Sequence, residues 1–210
     1  MNEYHKIQTV FKRDLSVRPN YVIEGEYSLP EFKFLRNCEW VFTEKIDGTN
    51  IRVMFDGEDI SFGGRTEMAQ IPAILVNALN ETFLPKVDIF RDNFPDGVCL
   101  YGEGYGAKIQ KSGENYRPDN GFIMFDVRVG KWWLNRVDVE GIGAMLGISC
   151  VPIIGRGTLD YMVGLVKDGL RSQWGDFFAE GIVARPMVEL FSRGGSRIIT
   201  KLKHRDFKHD

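Results

Sequence analysis

Thr43-Glu44-Lys45-Ile46-Asp47-Gly48-Thr49-Asn50-Ile51-Arg52-Val53 reads as a strand, a tight polar turn and a second strand. Trp40, Val41 and Phe42 lead into it. Ile51, Val53 and Phe55 then alternate with Asn50, Arg52 and Met54, the two-residue period of a half-buried strand. Asp47-Gly48 marks the turn, because glycine accepts the positive φ that tight hairpins demand. On this reading the two strands form a hairpin with Lys45 at its mouth. Side chains two apart on a strand share a face, so Thr43, Lys45 and Asp47 are expected to point the same way. A single lysine in such a place is by default a surface lysine. Its meaning depends on the company it keeps along the chain.

Downstream, Ile60-Ser61-Phe62 returns as a strand, and Gly63-Gly64-Arg65-Thr66 ends it with Arg65 projecting from the strand end. Val98 to Gly106 is a buried-type strand that runs into Gly102-Glu103-Gly104. There one carboxylate has no side-chain bulk on either side, which suits the approach of a ligand or metal. Lys108 to Asn120 is polar and carries Lys108, Lys111 and Arg117. It reads as a mobile loop that either contacts phosphates or is merely solvated. Gly121 to Val129 is a strong strand holding Phe125-Asp126, and Lys131-Trp132-Trp133 is its return. Glu180-Gly181-Ile182-Val183-Ala184-Arg185 follows, then Ile198 to Lys203, where Lys201 and Lys203 share a face and Leu202 turns to the core. Two such ammoniums repel by roughly 1 kcal/mol in water at 4 Å, and more when desolvated, so an anion between them would relieve the strand. Taken singly, each stretch has a bland reading: a turn glutamate, a core aromatic, a solvated basic strand.

Three helices are expected. Ile71, Ile74, Leu75, Ala78, Leu79 and Phe83 give a helical stripe over 72–83, with Pro72 in the first turn and Pro85 as the stop. Residues 135–146 and 158–167 also read as helices, with Gly147 and Gly169 as stops and Thr158 as an N-cap. Residues 150–154 form an apolar strand. Residues 1–39, rich in aromatics and broken by Pro19 and Pro30, are expected to be short strands and turns packed on the central sheet.

The 210 residues suit one domain, and 43% hydrophobic with 27% charged residues is an ordinary globular composition. A net charge of −2 excludes a global basic field, so any nucleic-acid surface must be a local patch. Cys38, Cys99 and Cys150 lack metal-ligand spacing and read as reduced thiols. With no signal peptide and no apolar run of spanning length, a cytoplasmic location is expected.

In this order the stretches resemble one family. Lys45-Ile46-Asp47-Gly48 matches the Lys-x-Asp-Gly signature of the covalent nucleotidyltransferases, the superfamily of ATP-dependent ligases and capping enzymes. The longer string from Thr43 to Asn50 resembles the RNA ligase 2-like ATP-dependent RNA ligases. Phe125-Asp126-Val127, Glu180 to Arg185 and Ile198 to Lys203 resemble their later motifs. The resemblance implies an α/β (α+β) nucleotidyltransferase domain over 1–210, with antiparallel sheets forming a nucleotide cleft flanked by helices. It implies Lys45 as the nucleophile that becomes lysyl-AMP, Asp47 orienting it or the ribose, and Lys201 and Lys203 on phosphate. Glu44, Asn50, Arg65, Glu103, Phe125, Asp126 and Glu180 would contact ATP, with Phe125 stacked on adenine and Arg65 on the phosphate end. Glu180 and Glu103 would hold Mg²⁺ or Mn²⁺. The implied partner is nucleic acid with 3′-hydroxyl and 5′-phosphate ends, RNA in a nicked duplex. The chain ends soon after the last motif, without the further domain that such enzymes commonly append, which argues against a capping enzyme or a conventional DNA ligase. A DNA ligase, a partner-dependent ligase subunit and a non-catalytic nucleotide- or RNA-end-binding protein stand as the alternatives.

Overall fold

Trp40–Lys45 and Thr49–Phe55 are both strands, but they do not pair with each other. Each joins a different five-stranded sheet, so the expected hairpin is instead a crossing from one sheet to another through Ile46-Asp47-Gly48. Local pattern identified the strands, but periodicity does not encode their partners: Trp40–Lys45 pairs with strands beyond residue 150, while Thr49–Phe55 pairs with Ile60–Gly64 and with Val98–Gly106. The structure, a computed structural model, describes residues 3–208.

In chain order the elements are β1 (Gln8–Thr9), β2 (Phe11–Arg13), β3 (Val22–Tyr27), α1 (Pro30–Phe34), β4 (Trp40–Lys45), β5 (Thr49–Phe55), β6 (Ile60–Gly64), α2 (Ala73–Phe83), α3 (Val87–Asn93), β7 (Val98–Gly106), β8 (Asn120–Val129), β9 (Trp132–Trp133), α4 (Arg136–Leu146), β10 (Ile153–Gly157), α5 (Leu159–Asp168), β11 (Gly181–Pro186) and β12 (Thr200–Lys203). They divide into two compact units, one of residues 3–5 and 47–151, the other of 6–46 and 152–208. None of the helices is long and apolar enough to cross a membrane among the described residues.

In the first unit the sheet runs β6-β5-β7-β8-β9, antiparallel throughout. Ile51, Val53 and Phe55 of β5 turn to a core shared with Val98, Leu100, Phe122 and Met124. Leu75, Leu79 and Phe83 of α2 and Val139 and Leu146 of α4 cover it. The apolar stripe read over 72–83 is therefore core. Pro85 does not stop the helical path: it sits in a 3-10 turn, Leu84–Lys86, that leads straight into α3. Proline is compatible with the first turn of a new helix, where its missing N–H is not needed. Asn135 caps α4 by accepting from the Asp138 N–H, and Gly147 ends it with φ 64°.

In the second unit the sheet order is β1-β12-β11-β4-β10, antiparallel except that β1 joins β12 in parallel. The apolar strand expected over 150–154 is displaced to β10, with Cys150 making only an isolated bridge to Met124 in the first unit. Trp40, Phe42, Ile182, Ala184 and Leu202 pack with Leu159, Met162 and Val166, the buried stripe of α5. Thr158 caps that helix, accepting from the Tyr161 N–H. Phe11 and Phe32 of the N-terminal segment enter the same core.

The glycines flanking Glu103 have a different use from the one their sequence suggested. A Cβ on Gly102 would lie 2.3 Å from the Phe122 ring and 2.4 Å from the Ile123 carbonyl oxygen; one on Gly104 would lie 2.4 Å from Leu75. The space they leave is filled by core side chains on one face of β7, while Glu103 projects from the other. Gly102→Ala is expected to lower stability by on the order of 1–3 kcal/mol, read from urea midpoints. An unchanged midpoint would show that the packing is looser than described.

Candidate active site

Gly181 opens β11, the strand between β4 and β12, and its register partners are Lys45 on one side and Lys203 on the other. There is no room for a side chain here: a Cβ would lie 2.0 Å from the Leu202 carbonyl oxygen. Across two strand spacings the backbones of the two lysines are roughly 9–10 Å apart. Both ammoniums nevertheless converge on the residue before Gly181. Lys45 Nζ lies 2.6 Å from Glu180 Oε2, and Lys203 Nζ lies 2.5 Å from Glu180 Oε1. All three side chains are largely buried, at 18%, 17% and 10% exposure. Arg205, 73% exposed, approaches Glu180 Oε1 at 3.6 Å. Burial alone would push the Glu180 carboxyl up, but the Lys45 charge and the bonds from Lys203 and Lys45 together outweigh it and hold the group below its ordinary 4.5. Lys201 is half-buried two residues before Lys203, on the same side of the strand, and Leu202 is fully buried.

Glu44, one residue before Lys45, faces the other way. It is 1% exposed, and its carboxylate accepts from Ser172 Oγ at 2.6 Å and from the Gln173 N–H at 2.8 Å. Burial raises its pKa, against the opposing effect of those two bonds. Through these bonds the Glu44 carboxylate holds the loop that leads to Glu180. Sequence alternation put Glu44 and Lys45 on opposite faces; nothing in the sequence named Ser172 as its partner.

In the other unit, Asp47 accepts a short bond from Ser112 Oγ, and its N–H donates to the Tyr116 hydroxyl at 3.4 Å. Gln110 Nε2 donates to the Gly48 carbonyl at 3.2 Å. The polar stretch after β7 thus ties down the Asp47-Gly48 turn through Gln110, Ser112 and Tyr116, where sequence reading had weighed only its Lys108, Lys111 and Arg117. Asn50 Oδ1 is buried and accepts no hydrogen bond among the described residues, the kind of orphaned acceptor that a ligand donor would satisfy. Glu103 is its register partner on β7. Arg65 is exposed.

Phe125 sits where β8 slips against β7: Asp126 pairs with Tyr101 and Met124 with Gly102, leaving Phe125 as the extra residue of a bulge. The bulge keeps it out of the hydrophobic core that claims Met124 and Val127. Its ring meets Tyr4 edge-on, centroids 5.1 Å apart. Tyr4 also donates to Asp126 Oδ2 at 2.5 Å. Asp126 is 0% exposed. In this structure it is held by Tyr4, a residue that no sequence motif singles out.

Glu180 is the carboxylate that both lysines share, and among the described residues no group of three or more His, Cys, Asp or Glu gathers that could hold a metal ion. That donor set fits a hard ion held by one carboxylate, water and phosphate oxygens, as Mg²⁺ commonly is; it does not form an all-protein cage.

Residues 38–203 match the model of the RNA ligase family. The chain belongs to that family. Among solved structures, this RNA ligase family member resembles Naegleria gruberi RNA ligase. A point mutant with ATP and Mn superposes with TM-score 0.69 at 15% identity, over 99% of this chain and 59% of that one. Another mutant, with AMP and Mn, gives 0.65 at 16% identity over 83% and 52%. The form with pyrophosphate gives 0.64 at 18% identity over the same shares. The likeness is one of fold, and the chain spans only about half to three-fifths of the length of these structures.

The shared carboxylate gives a pH test. Glu180 has a depressed folded pKa, so its contribution to stability is complete above its ordinary 4.5 and is lost as pH falls through the lower folded value. Glu180→Gln, which mimics the protonated acid, is expected to cost on the order of 1–3 kcal/mol at neutral pH. The gap from wild type should narrow as pH falls below 4.5 and close once Glu180 itself is protonated. A gap that stays constant across that range would contradict the ion-pair account.

Proposed function

We propose that this chain is an ATP-dependent RNA ligase acting through a lysyl-AMP intermediate. The observation that carries the reading is the convergence of Lys45 and Lys203 on the carboxylate of Glu180, from the two strands that flank β11 in one sheet. Lys45 Nζ, released from Glu180 and deprotonated, attacks the α-phosphorus of ATP; the N–P bond forms and pyrophosphate leaves. A nucleic-acid 5′-phosphate oxygen then takes the AMP, breaking the N–P bond and returning the lysine. A 3′-hydroxyl finally attacks the adenylylated phosphate, and AMP departs.

Each step passes charge through a phosphoryl group, so positioned cations do most of the work. Lys203 and Lys201 supply that charge. Asp47, fixed by Ser112, orients the turn next to the nucleophile. Glu180, with Glu103 as a second candidate, holds Mg²⁺ or Mn²⁺, which when bound supplies further positive charge to the phosphates. Asn50 offers its vacant acceptor to the nucleotide, Phe125 offers a ring face to adenine, and Arg65 holds a phosphate of the nucleic-acid end.

The partner we assign is RNA with a 3′-hydroxyl and a 5′-phosphate, held in a duplex. Nicked duplexes that differ only in whether the 3′-hydroxyl strand ends in RNA or DNA test this directly. Faster sealing of the RNA-ended nick is expected. Equal or faster sealing of the all-DNA nick would favour a DNA ligase, and sealing only after another protein is added would favour a partner-dependent subunit.

The ring of Phe125 has its own test. Phe125→Leu keeps bulk and apolarity but removes the stacking face, and ATP affinity should fall by on the order of 1–3 kcal/mol with little change in melting temperature. Full ATP affinity with lowered stability would return Phe125 to a packing role.

A further inference from the structure

A buried arginine in the middle of a strand calls for an explanation, because removing a guanidinium from water costs several kcal/mol unless its bonds are well placed. Arg52, on β5, is 1% exposed and lies opposite Gly63 of β6 and Tyr101 of β7, on the face turned away from the apolar core. Its Nε donates to the Gly64 carbonyl at 2.8 Å, and its Nη1 meets Glu67 Oε1 at 2.9 Å. Gly63 leaves space for it, since a Cβ there would lie 2.9 Å from Arg52 Nη2. The Gly64 carbonyl and the Glu67 carboxylate, both gripped by Arg52, bracket Arg65 and Thr66. The same turn is fastened again where the Glu67 N–H donates to Glu3 Oε1 at 2.8 Å, and folds back as the Ala69 N–H donates to the Thr66 carbonyl at 3.1 Å. Arg65, between the anchors, is exposed.

We propose that Arg52, with Glu67, is a positioning pair that aims Arg65 at a phosphate of the nucleic-acid end. This rests on the role given to Arg65 above. A leucine or methionine at position 52 would serve the fold at lower desolvation cost; what it would lack is a fork able to hold a carbonyl and a carboxylate on either side of the Arg65-Thr66 pair. Glu67 is 70% exposed, so its side chain adds little to the core, and its acid is held low chiefly by the bond from Arg52. The geometry makes the pair a lever on the turn, acting through Arg65 and not on substrate itself.

The test is a double-mutant cycle on sealing of a nicked RNA duplex under single-turnover conditions, with lysyl-AMP formation and melting temperature measured in parallel. Glu67→Ala should slow AMP transfer to the 5′-phosphate or the sealing step by roughly tenfold or more, as misplacement of a positioning group does. Glu67→Gln, which keeps an acceptor for Arg52, should restore most of the rate. In an Arg65→Ala background, Glu67→Ala should add nothing. Normal rates in Glu67→Ala, or an undiminished further loss in the Arg65→Ala background, would overturn the pairing while leaving Arg65 in place. If Arg65→Ala itself seals normally while lysyl-AMP forms, the assignment of Arg65 fails, and this proposal falls with it. Loss of lysyl-AMP formation in unmutated protein would instead strike at the ligase reading.

Discussion

One carboxylate shared by two ammonium groups can exist in the second unit only because three strands hold fixed register. Glu180 is largely buried, as are Lys45 and Lys203, and none of the three would tolerate that position alone. The arrangement needs three strands in fixed register: β4 and β12 to carry the lysines, and β11 between them, beginning with a glycine so that the strands on either side can close on it. The core beneath, from Trp40 to Leu202, fixes that register, because a slip by one residue would turn both lysines into apolar packing. The ion triad therefore depends on the fold more than the fold depends on it. Such an arrangement suits a site whose charges are to be redistributed when an anionic ligand arrives.

Polar groups brace each unit separately. In the second, buried Glu44 holds the 172–174 loop; in the first, buried Asp126 holds Tyr4, buried Arg52 holds the turn that carries Arg65, and half-buried Ser112 holds Asp47. This is how a scaffold fixes reactive side chains to within a fraction of an ångström without immobilising them by direct contact.

Much of this was legible in the sequence, for definable reasons. The strands on both sides of Lys45, the helices over 72–83, 135–146 and 158–167, and the opposite facing of Leu202 and its lysine neighbours all follow from local periodicity and caps. The order of the short motifs gave the family. What failed was non-local. Alternation cannot say that Trp40–Lys45 and Thr49–Phe55 belong to different sheets. Nor can it reveal that Phe125 occupies a bulge, or that the glycines beside Glu103 make room for Phe122 and Leu75. Nor does alternation give the partners that hold Glu44 and Asp126: Ser172 and Tyr4 are more than a hundred residues distant in the chain.

The nitrogen that attacks ATP, assigned to Lys45, can be identified by the residue that carries AMP. The protein would be incubated with ATP and Mg²⁺, quenched, and analysed by intact mass followed by peptide mapping. The account predicts a single added AMP, acid-labile, on Lys45, that disappears when pyrophosphate or a 5′-phosphorylated nicked duplex is supplied. No added AMP, or AMP mapped to Lys201, Lys203 or any other residue, would contradict it.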